Sequence, residues 1–324
     1  MLAHNGAKTD NCEVTMAFLY ALPGAVAEGL IWGLMAIGVY LSYKILDIAD
    51  LTVDGSICTG ACVCAMLLAA GCPVWLSMIA AFIAGALAGT VSGLLHTILG
   101  IPSILAGILT QLMLYTVNLL ILGGKSLVAV DPRANNLLVQ MSDNMGSIVS
   151  MVLVVAGTIV CLWLFFYTEI GLTIKSTGDN PDMSRAQGVD VDFNKVLGLA
   201  IANGIVALAG SLLAQYKGSA NINDGRGAIV IALAAIFIGL SVSLKIKPNF
   251  VVSMSGVGGG GIVYYIVYNF VILMGLKTDY LKMLSAIIVA VFLAVPYLKA
   301  TYFTKQKSIH AGVPGGDGGG GGHA

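Results

Sequence analysis

Apolar runs of roughly 20 residues, the length that crosses a bilayer as a helix, recur along the chain and are separated by short polar intervals. The first covers 22–45. The second reaches residue 70 after the interval LDIADLTVDGSICTGA, 46–61, where Asp47, Asp50 and Asp54 interrupt otherwise continuous apolar sequence. Further runs lie at 73–99, from the breaks at Gly100, Pro102 and Gly107 to 122, and at 147–167, 196–216 and 228–242. An eighth, holding Gly256 and Gly258 to Gly261, follows the basic turn SLKIKP, and a ninth covers 280–298. The pattern predicts an all-α, polytopic helical membrane protein of about nine spans (eight to ten). Broken helices lining a cavity are expected near 47–61 and 221–240, because irregular polar backbone at membrane depth is tolerated there.

The longest polar interval, 169–195, divides this pattern. It holds Glu169, Lys175, Asp179, Asp182, Arg185, Asp190, Asp192 and Lys195, against 16 basic and 16 acidic residues in the whole chain. Within it a short helix has readable ends. Asn180 can cap it, Pro181 suits the first helical position, Asp182 complements the positive end of the dipole, and Gly188 can close it. Two turns of helix are not stable alone in water, so this one must pack on the membrane domain or be held by a partner. As a surface loop it also has a bland reading, a solvated connection with a helical turn.

Composition agrees with the pattern. The 324 residues are 58% hydrophobic and 10% charged, with no net charge, so nothing points to nucleic acid. Mean hydropathy is +0.92. Most of the six cysteines fall inside apolar segments, which predicts no disulfide framework, and the Cys62–Cys64 pair has no histidine near it to complete a metal site. Gly124-Lys125-Ser126 looks like the end of a phosphate loop, but the glycine required five positions before Gly124 is Leu119. No cleavable signal peptide is evident, since the first apolar run lacks a basic start and is too long. Residues 1–15 read as a polar, loose N-terminus, and 301–324 as a glycine-rich flexible tail.

Polar groups inside the apolar runs are candidates for function because they are costly in lipid. Glu28 reads as lying near an interface. Gln111, Tyr115 and Asn118, spaced by four and three, share one helical face that either lines a pathway or hydrogen-bonds a neighbouring helix. The residues expected to line a translocation path are Asp50, Thr52, Asp54 and Ser56 with Gln111 and Asn118. The small residues of 73–99 and the glycines of 256–261 are expected at helix interfaces, or at a hinge in the second case. Nine spans put the termini on opposite sides. Nine basic residues (Lys44, Lys175, Arg185, Lys195, Lys245, Lys247, Lys299, Lys305 and Lys307) then fall inside against seven outside, which makes 169–195 and the C-terminus cytoplasmic.

Three stretches resemble the permease subunits of ATP-binding-cassette importers of the branched-chain amino acid and ribose type, and the likeness extends over most of 29–298. DIADLTVDGS, Asp47 to Ser56, followed by Thr59-Gly60-Ala61, is similar to the signature of that family's early broken helix. Gly188-Val189-Asp190-Val191, then Leu208-Ala209-Gly210-Ser211-Leu212, resembles its cytoplasmic segment and the span after it. Gly225-Arg226-Gly227, with Ile231 to Ala235 and Ile238-Gly239, resembles its second broken helix. Asp54 departs from the sugar-transporting version, and the wording of Leu51 to Ser56 and Gly93 to Thr97 is nearest to the amino acid permeases, often for tryptophan or tyrosine.

The resemblance implies a permease domain over 16–300 that imports a small solute, most readily an amino acid, aromatic ones included, delivered by an extracytoplasmic binding protein. It implies two ATPase subunits gripping the cytoplasmic loop 169–195 through Asn180, Pro181, Asp182, Arg185, Gln187 and Gly188, and a second permease copy, a homodimer. It implies a bacterial inner membrane as the location. No cofactor belongs to this chain, ATP and Mg being bound by the partner ATPase. The same architecture importing a sugar or nucleoside is one alternative. An ion-coupled secondary transporter is another, since broken helices and intramembrane aspartates also suit ion sites. It leaves the charged short helix unexplained. A membrane enzyme is disfavoured, because His4, His96, His310 and His323 form no ligand pair.

Overall fold

A computed structural model describes residues 3–130, 137–141, 144–243 and 249–273, with isolated positions at 283, 286, 287, 290 and 294. Ten α-helices account for most of it: α1 (Ala3–Tyr40), α2 (Val53–Ala69), α3 (Val74–Thr97), α4 (Ser103–Ile121), α5 (Asn144–Phe166), α6 (Glu169–Asp179), α7 (Pro181–Ala186), α8 (Val191–Lys217), α9 (Ala228–Ser243) and α10 (Phe250–Leu273). Six described helices are long and apolar enough to cross a membrane, at Ala21–Ile45, Val74–Thr97, Ser103–Ile121, Met145–Phe166, Val191–Lys217 and Phe250–Ile272. Two shorter apolar helices, Val53–Ala69 and Ala228–Ser241, complete the bundle. These eight correspond in order to the first eight expected spans. The expected ninth (280–298) and the tail (301–324) lie outside the continuously described residues. Helical backbone begins at Ala3, so the polar N-terminal segment continues α1 where a loose end is expected.

The spanning parts of α1 and α8 are mostly buried, whereas α5 is mostly exposed. α8 packs against α3, α2 and α1, and α1 against α10, α5 and α9. The α3–α8 contact depends on absent side chains. A Cβ at Gly85, Gly89 or Gly93 would run into the backbone of Asn203, Leu199 or Val196. The α1–α10 crossing is built likewise, with Gly29 and Gly33 against Gly258 and Gly261. Without a hydrophobic drive between helices in lipid, such close backbone approach supplies the packing energy. The glycine-rich eighth run is thus an interface. The outward faces of α3, α4 and α5 carry exposed Leu87, Leu112, Leu153 and similar residues, as a lipid-facing surface requires.

Contacts order the two ends of the bundle. At one end lie Ile45, which closes a π-helical turn (Leu41–Ile45), the start of α8 and the α6–α7 pair. Phe250 meets Phe166 there, with ring centroids 4.9 Å apart. At the other end Lys217 is followed by β2 (Ser219–Asn221), which pairs antiparallel with β1 (Leu127–Ala129). This two-stranded ribbon is the only strand pairing among the described residues, and it fastens the α4–α5 connection to the α8–α9 connection.

α2 and α9 are the two short apolar helices, 17 and 16 residues long, about 25 Å each and less than the ~30 Å of hydrocarbon a full span crosses. Each follows irregular backbone. The chain leaves the π turn through Asp47, in left-handed conformation (φ 55°), and starts α2 beside Asn203, near the middle of α8. After β2 the turn 222–227 runs back into the bundle to Cys58 and Asp54, and α9 begins there. Both expected breaks are present, and the amino ends of both helices meet at the same depth.

Candidate functional site

The first break contains a buried polar cluster. Asp50, Thr52 and Ser56 are fully buried, as is Asn203. The Asp50 carboxylate accepts the Thr52 backbone N–H at 2.8 Å and the Asn203 side-chain amide at 2.6 Å. Asn203 in turn accepts the Ser56 hydroxyl at 2.6 Å, and Thr52 donates to the Ser92 hydroxyl at 2.9 Å. The irregular chain is therefore tied to α8 and α3 by side chains whose hydrogen-bonding capacity is used internally.

Asp54 lies four residues on and in another environment. Its two carboxylate oxygens accept the backbone N–H groups of Gly227 and Ile229, each at 2.9 Å. Asp54 thus caps α9 from the first turn of α2, placing a negative group where two positive helix ends converge. Next to it a cavity of about 340 Å³ is lined by Asp54, Gln111, Tyr115, Asn118, Ile222 and Arg226. The Arg226 guanidinium lies over the Tyr115 ring, 5.9 Å from its centroid, a cation–π contact that holds the charge at the cavity wall. Asn118 is fully buried, yet its side-chain oxygen has no hydrogen-bond partner in the structure. A buried acceptor with nothing to accept is costly, and this one borders the cavity.

Of the six expected path residues, Asp54, Gln111 and Asn118 line this cavity. Asp50, Thr52 and Ser56 do not. Their carboxylate and hydroxyl groups are spent on Asn203, Ser92 and local backbone, and the chain's polar break is buried in protein there where a cavity lining is expected. Gln111, Tyr115 and Asn118 do share one face, and it is the cavity face.

At the opposite end, α7 has the predicted local structure. Asn180 accepts the Met183 N–H at 3.0 Å, Pro181 is at the first helical position, and Gly188 follows in left-handed conformation (φ 83°). Only Ser184 of this helix is buried. Pro181, Asp182, Arg185, Gln187 and Gly188 are all exposed. Arg185 and Asp192 approach to 3.8 Å with side chains 60% and 59% exposed, an ion pair worth little in water. α7 rests on α6, a helix where a polar loop is expected. Thr168 caps α6, and the face it buries is Gly171, Ile174 and Thr177.

The model of the branched-chain amino acid transport system permease component matches residues 23–295. The chain belongs to that permease family. It is 36% identical over 273 residues to a tyrosine transport system permease protein of Clostridioides difficile, covering 83% of this chain and 89% of the relative. An uncharacterized protein of Rickettsia prowazekii is 34% identical over 226 residues, 70% of this chain and 79% of that one. The autoinducer 2 import system permease protein of Salmonella paratyphi B is 29% identical over 191 residues, 58% of this chain and 55% of its own length. No solved structure matches the chain.

The permease is thus an integral membrane component of a transporter whose family works with ATPase and binding-protein subunits. Two of its site features lie beyond the sequence reading. Arg226 is visible in the sequence as part of Gly225-Arg226-Gly227, but its position across the cavity from Gln111 depends on the return of 222–227 into the bundle. Asn203 has no local signal except an amide in an apolar run. Among the described residues no group of His, Cys, Asp and Glu is arranged to hold a metal ion.

Proposed function

We propose that the permease imports an amino acid, delivered by an extracytoplasmic binding protein and driven by two ATPase subunits that bind ATP and Mg. One observation carries the substrate class. A carboxylate (Asp54), a guanidinium (Arg226) and an unpartnered buried amide oxygen (Asn118) border one cavity. That set suits a zwitterion, with its ammonium toward Asp54 and Asn118 and its carboxylate toward Arg226, whereas a sugar would call for neutral donors and acceptors. Tyrosine is the first substrate to test, given what the Clostridioides difficile relative transports.

The cavity opens along α4, past exposed Leu112 and Tyr115. Charged groups facing lipid are costly, which supports a second permease copy packed on this side about a two-fold axis. The exposed α7, too short to fold for its own sake, is the surface each ATPase subunit grips, through Asp182 and Arg185. This orientation puts α6, α7 and the C-terminus in the cytoplasm and the β1–β2 ribbon outside, in a bacterial inner membrane.

The test is reconstitution in vesicles with the ATPase and binding protein. ATP-dependent tyrosine uptake is expected, with no ATP hydrolysis by the permease alone, since it has no phosphate loop of the required spacing. Uptake driven by an ion gradient without ATPase would remove the reading.

A further inference from the structure

We infer that a second cavity, across Arg226 from the first, binds a zwitterion carrying an aromatic side chain; this rests on the reading of the permease as an amino acid importer. The cavity encloses about 380 Å³ and lies toward the β1–β2 end of the bundle, between α1, α9, α10 and the turn 222–227, within the size range of small-molecule sites.

One wall is aromatic. The rings of Trp32 on α1 and Tyr265 on α10 are stacked, with centroids 5.9 Å apart and planes at 20°. Tyr268 adds a third ring, 5.5 Å from Tyr265. Tyr264, Trp32 and Tyr265 are all buried in the core and Tyr268 is half-buried against it, and of these four Trp32, Tyr265 and Tyr268 also line the cavity. An aromatic side chain entering there would continue the stack in offset or edge-on geometry.

The opposite wall is ionic. Lys217 and Asp224 form a 3.4 Å ion pair at the cavity, and Arg226 lines it as well. Glu28, one turn before Trp32 on α1, is within electrostatic range of Lys217. Two acidic and two basic groups gather at this end of the bundle, with Lys217 and Arg226 exposed and Asp224 half-buried, so the charges face water and the cavity, as charges in a membrane protein must. Balanced charge beside stacked rings suits a neutral zwitterion with a flat side chain, and neither a simple cation nor a simple anion. Arg226 borders both cavities, so the same guanidinium can hold the solute's carboxylate as it moves from the aromatic site toward Asp54.

The chain's three tryptophans make this measurable. In the Trp75→Phe/Trp163→Phe double variant, which changes two exposed positions, Trp32 is the sole reporter. The full chain in nanodiscs is titrated with the quencher 4-nitro-L-phenylalanine. Saturable quenching is expected, with 4-nitrophenylpropionate and 4-nitrophenethylamine, each lacking one charge, requiring at least about 10-fold higher concentration. Tyr268→Leu and Lys217→Gln should each weaken the quenching about 5-fold or more, and Tyr268→Phe should retain it, which separates loss of the ring from loss of the fold. Non-saturable quenching, equal quenching by all three compounds, or an unaffected Tyr268→Leu variant would overturn the site. Uptake in vesicles tells the two readings apart. Amino acid uptake without saturable quenching removes this site and leaves the importer, whereas quenching without amino acid uptake supports the site and removes the importer.

Discussion

The side-chain amide of Asn203, at the middle of α8, donates to the Asp50 carboxylate at 2.6 Å, joining residues 153 apart in sequence and fixing the irregular chain ahead of α2. Replacing Asn203 by Leu leaves a buried carboxylate with only the Thr52 N–H, at a cost of about 1–3 kcal/mol. Thermal unfolding of the detergent-solubilised protein should record the loss, and adding Asp50→Asn should restore part of it by removing the charge. Wild-type stability in Asn203→Leu would mean that the pair contributes nothing.

Asp54 has a different duty and should fail differently. Asp54→Ala removes the cap from α9, a loss of about 0.5–2 kcal/mol, and also removes the cavity's carboxylate. Asp54→Asn keeps one acceptor oxygen, for either the Gly227 or the Ile229 N–H, and sets its NH2 against the other, so it should recover part of the stability but not transport. Comparing melting temperature with uptake rate across the two variants separates capping from solute contact, and equal transport in wild type and Asp54→Asn would exclude the latter.

The coupling role proposed for α7 predicts loss of uptake with an intact membrane domain. Arg185→Glu puts like charge where an acidic partner is expected, at a cost of about 2–5 kcal/mol if the pair is buried on docking. Ala186→Pro breaks the last turn at about 3 kcal/mol. Both variants should insert and elute as the wild type does while ATP-driven uptake collapses, and changes at 315–322 should be silent. Full uptake in both variants would make α7 an ordinary connection.

The helix interfaces give a minimal test, a single methyl group. Gly89→Ala sets a Cβ against the Leu199 carbonyl, whereas the same change at Gly157 meets nothing within 4 Å. Overpacking of this kind costs about 1–3 kcal/mol. The first variant should lose folded yield and melting temperature, and the second should match wild type; parity between them would show that α3 and α8 separate easily.

How much of this was legible depends on how local each signal is. The apolar runs marked eight described helices because lipid demands length and continuity of each, and α7 was readable because Asn180, Pro181 and Gly188 are next to one another in sequence. α6 was hidden because its buried face is only Gly171, Ile174 and Thr177, too small to register as periodicity among charged neighbours. Asp50 and Asp54 look alike in DIADLTVDGS, and what separates them is tertiary: Asn203 is 153 residues from the first, and Ile229, in the first turn of α9, is 175 from the second. Arg226 became a cavity residue only when Tyr115, from a distant helix, lay beneath it.

At Gly178 on α6 the chain meets the carbonyl of Ile45 with no side chain between them. Side-chain contacts absorb displacement by changing rotamer, but two backbones in contact have no such slack. A push on the α6–α7 pair therefore arrives undamped at the π turn, and from there at Asp47 and the aspartate held by α8. The joint is a hard stop, and a methyl group added at Gly178 would force α6 and the π turn apart.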